Sequence, residues 1–182
     1  MRHGAWSMLG AVGVLLLTSG CVAIEAGHEG VMVEQPFFFG HGGVDPAPSK
    51  TGRVWVAPTT KVIEVDVRPL QYSEHFDIIS AENAPVSFDA FMIANVVESR
   101  SPELISRYGP NWYQNNVKEA FRTFVREEVQ RYPLFQLTTD PTTRTKLQDA
   151  IAREVQNKLI DKQNMPIRLN RVVVGSILPP KG

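Results

Sequence analysis

The spacing of apolar residues changes character three times along the chain. Residues 4–24 carry no charged side chain, and Leu15, Leu16 and Leu17 form the apolar heart of that stretch. From Gly30 onward the apolar runs are short and strand-like: Val31-Met32-Val33, Phe37-Phe38-Phe39, Val54-Trp55-Val56 and residues 62–68. In the last of these Ile63, Val65 and Val67 fall on one face and Val62, Glu64, Asp66 and Arg68 on the other, the period-two signature of a strand with one face on a core. Residues 76–80 predict another strand. A long strand over residues 86–97 follows, with Val86, Phe88, Ala90, Met92, Ala94 and Val96 on one face. Its other face, Ser87 to Val97, becomes apolar in the middle, which predicts a central strand covered on both sides for part of its length.

The period then turns helical. Ser101-Pro102-Glu103 combines an N-cap residue, a first-turn proline and an acidic side chain at the positive helix end, and Gly109 closes a short helix. Val117, Ala120, Phe121, Phe124, Val125 and Val129 predict an amphipathic helix of about five turns. Asp140-Pro141 repeats the cap-and-proline signal ahead of a second long helix striped by Leu147, Ala150, Ile151, Val155 and Leu159 and ended by Pro166. Residues 167–178 return to extended chain, and Pro179-Pro180 stop it. Strands, helices and a final strand make the fold class α+β.

Composition narrows the function. At 182 residues there is room for one ordinary domain or two small lobes, and 43% hydrophobic with 21% charged residues is globular usage. Nineteen basic residues balance nineteen acidic ones without a basic patch interleaved with aromatics, so nucleic acid is not an expected partner. The lone cysteine, Cys21, forms no intramolecular disulfide. Its setting is more informative. A basic start at Arg2 and His3, the apolar run, and Leu17-Thr18-Ser19-Gly20-Cys21 resemble the signal and lipobox of bacterial lipoproteins, in which the cysteine is lipidated and becomes the new N-terminus. Thr18 stands where that pattern prefers leucine. Val22 after the cysteine resembles outer-membrane sorting. The alternative is a retained helix, since 21 uncharged residues at about 1.5 Å each span roughly a 30 Å hydrocarbon core.

Beyond this segment, Gly30 to Val33 with an apolar hairpin, Gly52-Arg53-Val54-Trp55-Val56-Ala57-Pro58, the strand ending Asp66-Val67-Arg68, the segment from Ile79 to Asp89, and the helix with Arg122 and Arg126 follow one another as in the SPFH (Band 7) domain family of prohibitin- and stomatin-like proteins. The resemblance implies an antiparallel-rich sheet followed by amphipathic helices and a C-terminal strand. It divides the chain into a signal peptide at 1–20, a tether at 21–29, the SPFH domain at 30–178 with a strand-rich lobe at 30–85 and a helix-rich lobe at 86–178, and a tail at 179–182. It further implies a non-catalytic, membrane-anchored scaffold that needs no cofactor, contacts membrane lipids, forms homo-oligomers and organises membrane proteases or other envelope proteins. The expected location is a bacterial membrane facing the periplasm, the outer one favoured. Members of the family usually continue into long assembly helices, whereas this sequence stops at Gly182, so smaller assemblies are expected. A periplasmic lipoprotein that binds a small ligand or regulates an envelope enzyme is the rival reading.

Candidate chemistry is sparse. His3, His28, His41 and His75 lack metal-ligand spacing. Asp66, Asp77 and Asp89 are read as a solvated strand face, and Ser176 lacks the second glycine of a nucleophile elbow. A hydrolase would need a nucleophile and a base brought within hydrogen-bond reach by the fold. Gly40-His41-Gly42-Gly43 is read as a turn and not a phosphate loop, because no Lys-Ser or Lys-Thr pair and no helix follow. Phe37, Phe38 and Phe39 are candidates for membrane contact, because three consecutive rings in a strand cannot all face one way.

Overall fold

The computed structural model describes residues 20–36, 42–48 and 51–177. Phe37, Phe38, Phe39 and the apolar segment before Gly20 lie outside the described residues, and no helix among those described is long and apolar enough to cross a membrane.

The first half is built of strands: β1 (Gly20–Ile24), β2 (His28–Glu34), β3 (Gly43–Val44), β4 (Gly52–Val56), β5 (Thr60–Asp66), β6 (Leu70–Ile79) and β7 (Pro85–Val96). The helices follow: α1 (Ser101–Tyr108), a π-helical turn at Tyr113–Val117 leading into α2 (Lys118–Val129), α3 (Leu134–Thr139), and α4 (Pro141–Glu154), which widens into a second π-helical stretch at Val155–Asp161. Strand β8 (Ile167–Val174) returns to the sheet. Pairing is antiparallel throughout, in a β1-β4 ribbon, a β3-β2-β5 sheet and a β6-β7-β8 sheet.

Strand β7 is central, as its two-sided pattern predicts. All six residues of its predicted inner face are buried, and they meet Val172 and Val174 of β8 and Phe76 and Ile78 of β6. Against this face lie Val117, Phe121, Val125 and Val129 of the α2 segment and Leu147, Ile151, Val155 and Leu159 of the α4 segment, each spaced at four residues so that one stripe of each helix is dry. Phe76 joins the layers, stacking on Phe88 at 5.3 Å and meeting Phe121 edge-on at 6.4 Å. The expected lobe boundary between 85 and 86 falls at the turn end of the β6–β7 hairpin, where Pro85 is paired with Ile79.

Several elements differ from the expected ones. Strand β6 begins at Leu70 and not at Phe76, because its inward positions Tyr72 and Glu74 are polar and hide the alternation. Ser101 is not the cap of α1. Arg100 occupies that position, and Ser101 sits fully buried in the first turn with its hydroxyl engaged elsewhere. Gly109 does end α1, at φ 75°. Asp140 caps α4 as predicted, its carboxylate accepting from the Thr142 and Thr143 amides at 2.9 and 3.2 Å. The short helix α3 carries no sequence stripe and was not expected.

Candidate functional site

Three groupings of side chains stand out, two on the surface and one inside. On the first surface, the β1-β4 ribbon, the register places Cys21 opposite Trp55 and Ala23 opposite Arg53. Directly opposed residues of an antiparallel pair share a face, and all four side chains are exposed, Trp55 at 74%. The other face of the ribbon turns inward through Val22, Val54, Val56 and the buried Ile24. Ile24 packs onto β2 where Gly30 makes room, since a Cβ there would lie 2.5 Å from the Ile24 Cδ1. Sequence spacing puts Cys21 and Trp55 far apart, and only the register brings them together.

The second surface is the outer face of the β6-β7-β8 sheet, opposite the helices. Its centre is apolar and half-buried: Phe91 and Ile93 of β7, with Val173 of β8 paired to Phe91. Toward the hairpin end are Asp77, His75, Ser87 and Asp89. At the other end Arg168 pairs with Asn95 and Arg171 with Ile93. From Asp89 to Ile93 and Asn95 is four to six residues, or roughly 14–20 Å along a strand. One open face thus carries an acidic end, an apolar middle and a basic end.

Within the acidic end, His75 Nδ1 lies 2.8 Å from Asp89 Oδ1, and its Nε2 lies 3.5 Å from both Asp77 Oδ2 and Ser87 Oγ. Serine, histidine and aspartate do meet here, which the sequence does not disclose. The geometry is that of a charge clamp. A serine nucleophile needs its base at about 2.6–3.2 Å and oxyanion donors beyond it, whereas Ser87 is at 3.5 Å and shares Nε2 with a carboxylate. The His75 side chain is 60% exposed on a sheet face, so neither water exclusion nor a substrate wall is available. Hydrogen bonding to Asp89 first, and the charges of Asp77 and Asp89, raise the His75 pKa. A folded value above the unfolded one means that the clamp contributes fully below about 6.5 and is lost as pH rises through the raised value. We expect NMR titration of His75 to give a midpoint above 6.5, and Asp89→Asn to lower it. Of the other aspartates, Asp66 is not solvated as expected: it is held by Arg68 at 2.6 and 2.9 Å with His28 at 3.7 Å, and the Arg68 hydrogen bonds lower its pKa.

The interior grouping joins sheet to helices. Glu74 of β6 is buried and accepts from the Tyr113 hydroxyl at 3.2 Å and from Arg122 Nη1 at 3.1 Å, with Lys118 Nζ at 3.6 Å. Burial, followed by the Glu74 charge, pushes the Tyr113 pKa upward, and burial pushes that of Tyr72 up to about 12. Glu29 of β2 is likewise buried, accepting from the Ser99 amide at 2.6 Å and from the Ser101 hydroxyl. These are structural ion and hydrogen-bond sets without an open position.

A cavity of about 290 Å³ lies between β5, β6 and the Trp112–Gln114 turn, on the side of β6 away from His75. Tyr72 and Tyr113 stack within it at 4.1 Å and Trp112 meets both edge-on, so the rings use their faces on one another. Its open mouth and size, at the lower end of roughly 300–1,000 Å³ for ligand sites, do not make a deep ligand pocket. No group of three or more His, Cys, Asp or Glu side chains among the described residues is placed to hold a metal ion.

No curated protein matches the chain significantly. The family model described as SPFH domain / Band 7 family matches residues 22–182, from the ribbon strand that carries Cys21 through β8 and beyond, and the chain is therefore a member of the SPFH / Band 7 family.

Proposed function

We propose that this chain is a non-catalytic scaffold, tethered to a bacterial membrane by its N-terminus, that self-associates through the outer face of the β6-β7-β8 sheet and organises neighbouring membrane or envelope proteins. Members of the family are typically membrane-associated scaffolds and generally lack catalytic activity. The observation that carries the self-association is the polarity of the outer face: an apolar strip of Phe91, Ile93 and Val173 between Asp77 with Asp89 at one end and Arg168 with Arg171 at the other. Two copies packed face to face about a two-fold axis that lies in the interface plane, across the strands, bring each acidic end onto the partner's basic end.

The tether is Cys21. The lipobox-like run before it, and its place in β1, the first strand of the described residues, support cleavage before Cys21 and acylation, with the domain facing the periplasm and the outer membrane favoured. Phe37, Phe38 and Phe39 are retained as further membrane contacts. Intact mass of the membrane-extracted chain checks the tether: a chain beginning at Cys21 with a diacylglyceryl and acyl increment that Cys21→Ser loses supports it, and an unmodified chain refutes it.

The scaffold is tested by sedimentation of the detergent-solubilised full chain. Arg171→Glu and Asp77→Lys are each expected to weaken self-association about tenfold, and the double exchange to restore most of it. Single variants that associate as the parent does would remove this face from the assembly.

A further inference from the structure

The outer face of the β1-β4 ribbon has no role in the self-association proposed above, and its composition is distinctive. Trp55 is 74% exposed beside Cys21, with Arg53 beside Ala23 on the same face. An exposed tryptophan is costly to leave in water, and its ring with a polar N–H suits the boundary between headgroups and acyl chains. Arg53 adds a positive charge that no carboxylate pairs with among the described residues. The last five residues of the uncharged run 4–24 are strand β1 of this ribbon, paired to β4 from Gly20↔Val56 to Ile24↔Gly52. With the N-terminal tether proposed above, whether a lipid on Cys21 or an anchor before Gly20, the chain would leave the bilayer at this face.

We infer that the Trp55 and Arg53 face of the ribbon lies on the bilayer itself, Trp55 entering the interface of an anionic phospholipid membrane next to the anchor and Arg53 meeting its phosphates. The contact makes the tether two-point: a lipid or helix in the bilayer, and a rigid strand pair flat upon it. A single acyl anchor leaves a domain free to swivel, whereas an interfacial indole a few ångströms from the anchor sets its tilt. The outer face of the β6-β7-β8 sheet is then held at a constant attitude to the membrane, which favours lateral association of copies. The inference rests on the N-terminal tether and goes beyond it by assigning a protein surface.

Of the three tryptophans Trp112 is buried, Trp55 is exposed and Trp6 belongs to the segment before Cys21, so a difference measurement isolates the Trp55 emission. The full chain, extracted from membranes, is reconstituted into phosphatidylcholine vesicles containing phosphatidylglycerol, and the Trp55 component is taken as the difference from Trp55→Phe. We expect that component to be shielded from aqueous iodide several-fold relative to detergent-free aqueous conditions and to be quenched by brominated acyl chains. Arg53→Glu should reduce the shielding on phosphatidylglycerol-containing vesicles. Vesicle-bound chain whose Trp55 stays open to iodide overturns the inference and leaves the tether standing. Chain that does not sediment with vesicles overturns the tether and this contact together.

Discussion

Replacing Glu74 with alanine is expected to destabilise the fold by roughly 3 kcal/mol, lowering the thermal midpoint by about 6–12 °C. The carboxylate is buried between the Tyr113 hydroxyl, Arg122 and Lys118, so its removal leaves a phenol and a guanidinium beside apolar surface. Arg122 also covers the Phe76 ring, 5.1 Å from its centroid, and is held there by the same carboxylate and by the His75 carbonyl at 3.1 Å. The two cations are each about one third exposed, Lys118 at 33% and Arg122 at 28%; water therefore repays part of the loss, and the estimate stays at the lower edge for a broken buried pair. Glu74→Gln keeps an acceptor for Tyr113 and should cost about half as much. Thermal unfolding followed by circular dichroism checks both, and an alanine variant that melts within a degree or two of the parent would show that Arg122 and Tyr113 find other partners.

The physical basis of that cluster also explains what the sequence discloses and what it conceals. The inner face of β7 is legible because six apolar residues alternate without interruption, and the α2 and α4 stripes because their apolar positions recur at three and four residues. Asp140 is legible because a cap acts within three residues of itself. Glu74 breaks the alternation of β6, and nothing local announces that Tyr113 and Arg122, 39 and 48 residues later, will satisfy it. Ser101 fails as a cap for a similar reason, since its hydroxyl is taken by a carboxylate 72 residues earlier. The six residues of α3 are too few for a periodic signal. The surfaces behave likewise. Cys21 is conspicuous alone, whereas its pairing with Trp55 and the split of acid and base over the outer sheet exist only once the register is known. Local signals thus locate the elements, and long-range pairing creates the candidate sites.

Glu29→Ala should be the second large loss, about 2–3 kcal/mol, with a consequence for attitude as well as stability. Glu29 belongs to β2, the strand that follows the ribbon strand β1 after the turn at Gly27. One carboxylate oxygen takes the Ser99 amide at 2.6 Å, where Ser99 has a φ of 64°, a left-handed conformation that a non-glycine residue keeps only when something holds it. The other takes the Ser101 hydroxyl in the first turn of α1. The alanine variant strands that amide and frees Ser99 to relax, so α1 is released from β2 while the β6-β7-β8 sheet and its helices keep their own core. Hydrogen exchange should quicken first across β2 and α1, well before the β7 amides. Glu29→Gln, which retains an acceptor for Ser99, should lie between, and Ser101→Ala should cost about 1 kcal/mol by removing a single hydrogen bond. Uniform exchange across all strands would mean the chain opens as one unit and that Glu29 contributes only to the whole. Local opening would place the clamp between β2 and the start of α1, and on the proposed tether and self-association it would loosen the assembly without touching Phe91, Asp77 or Arg171.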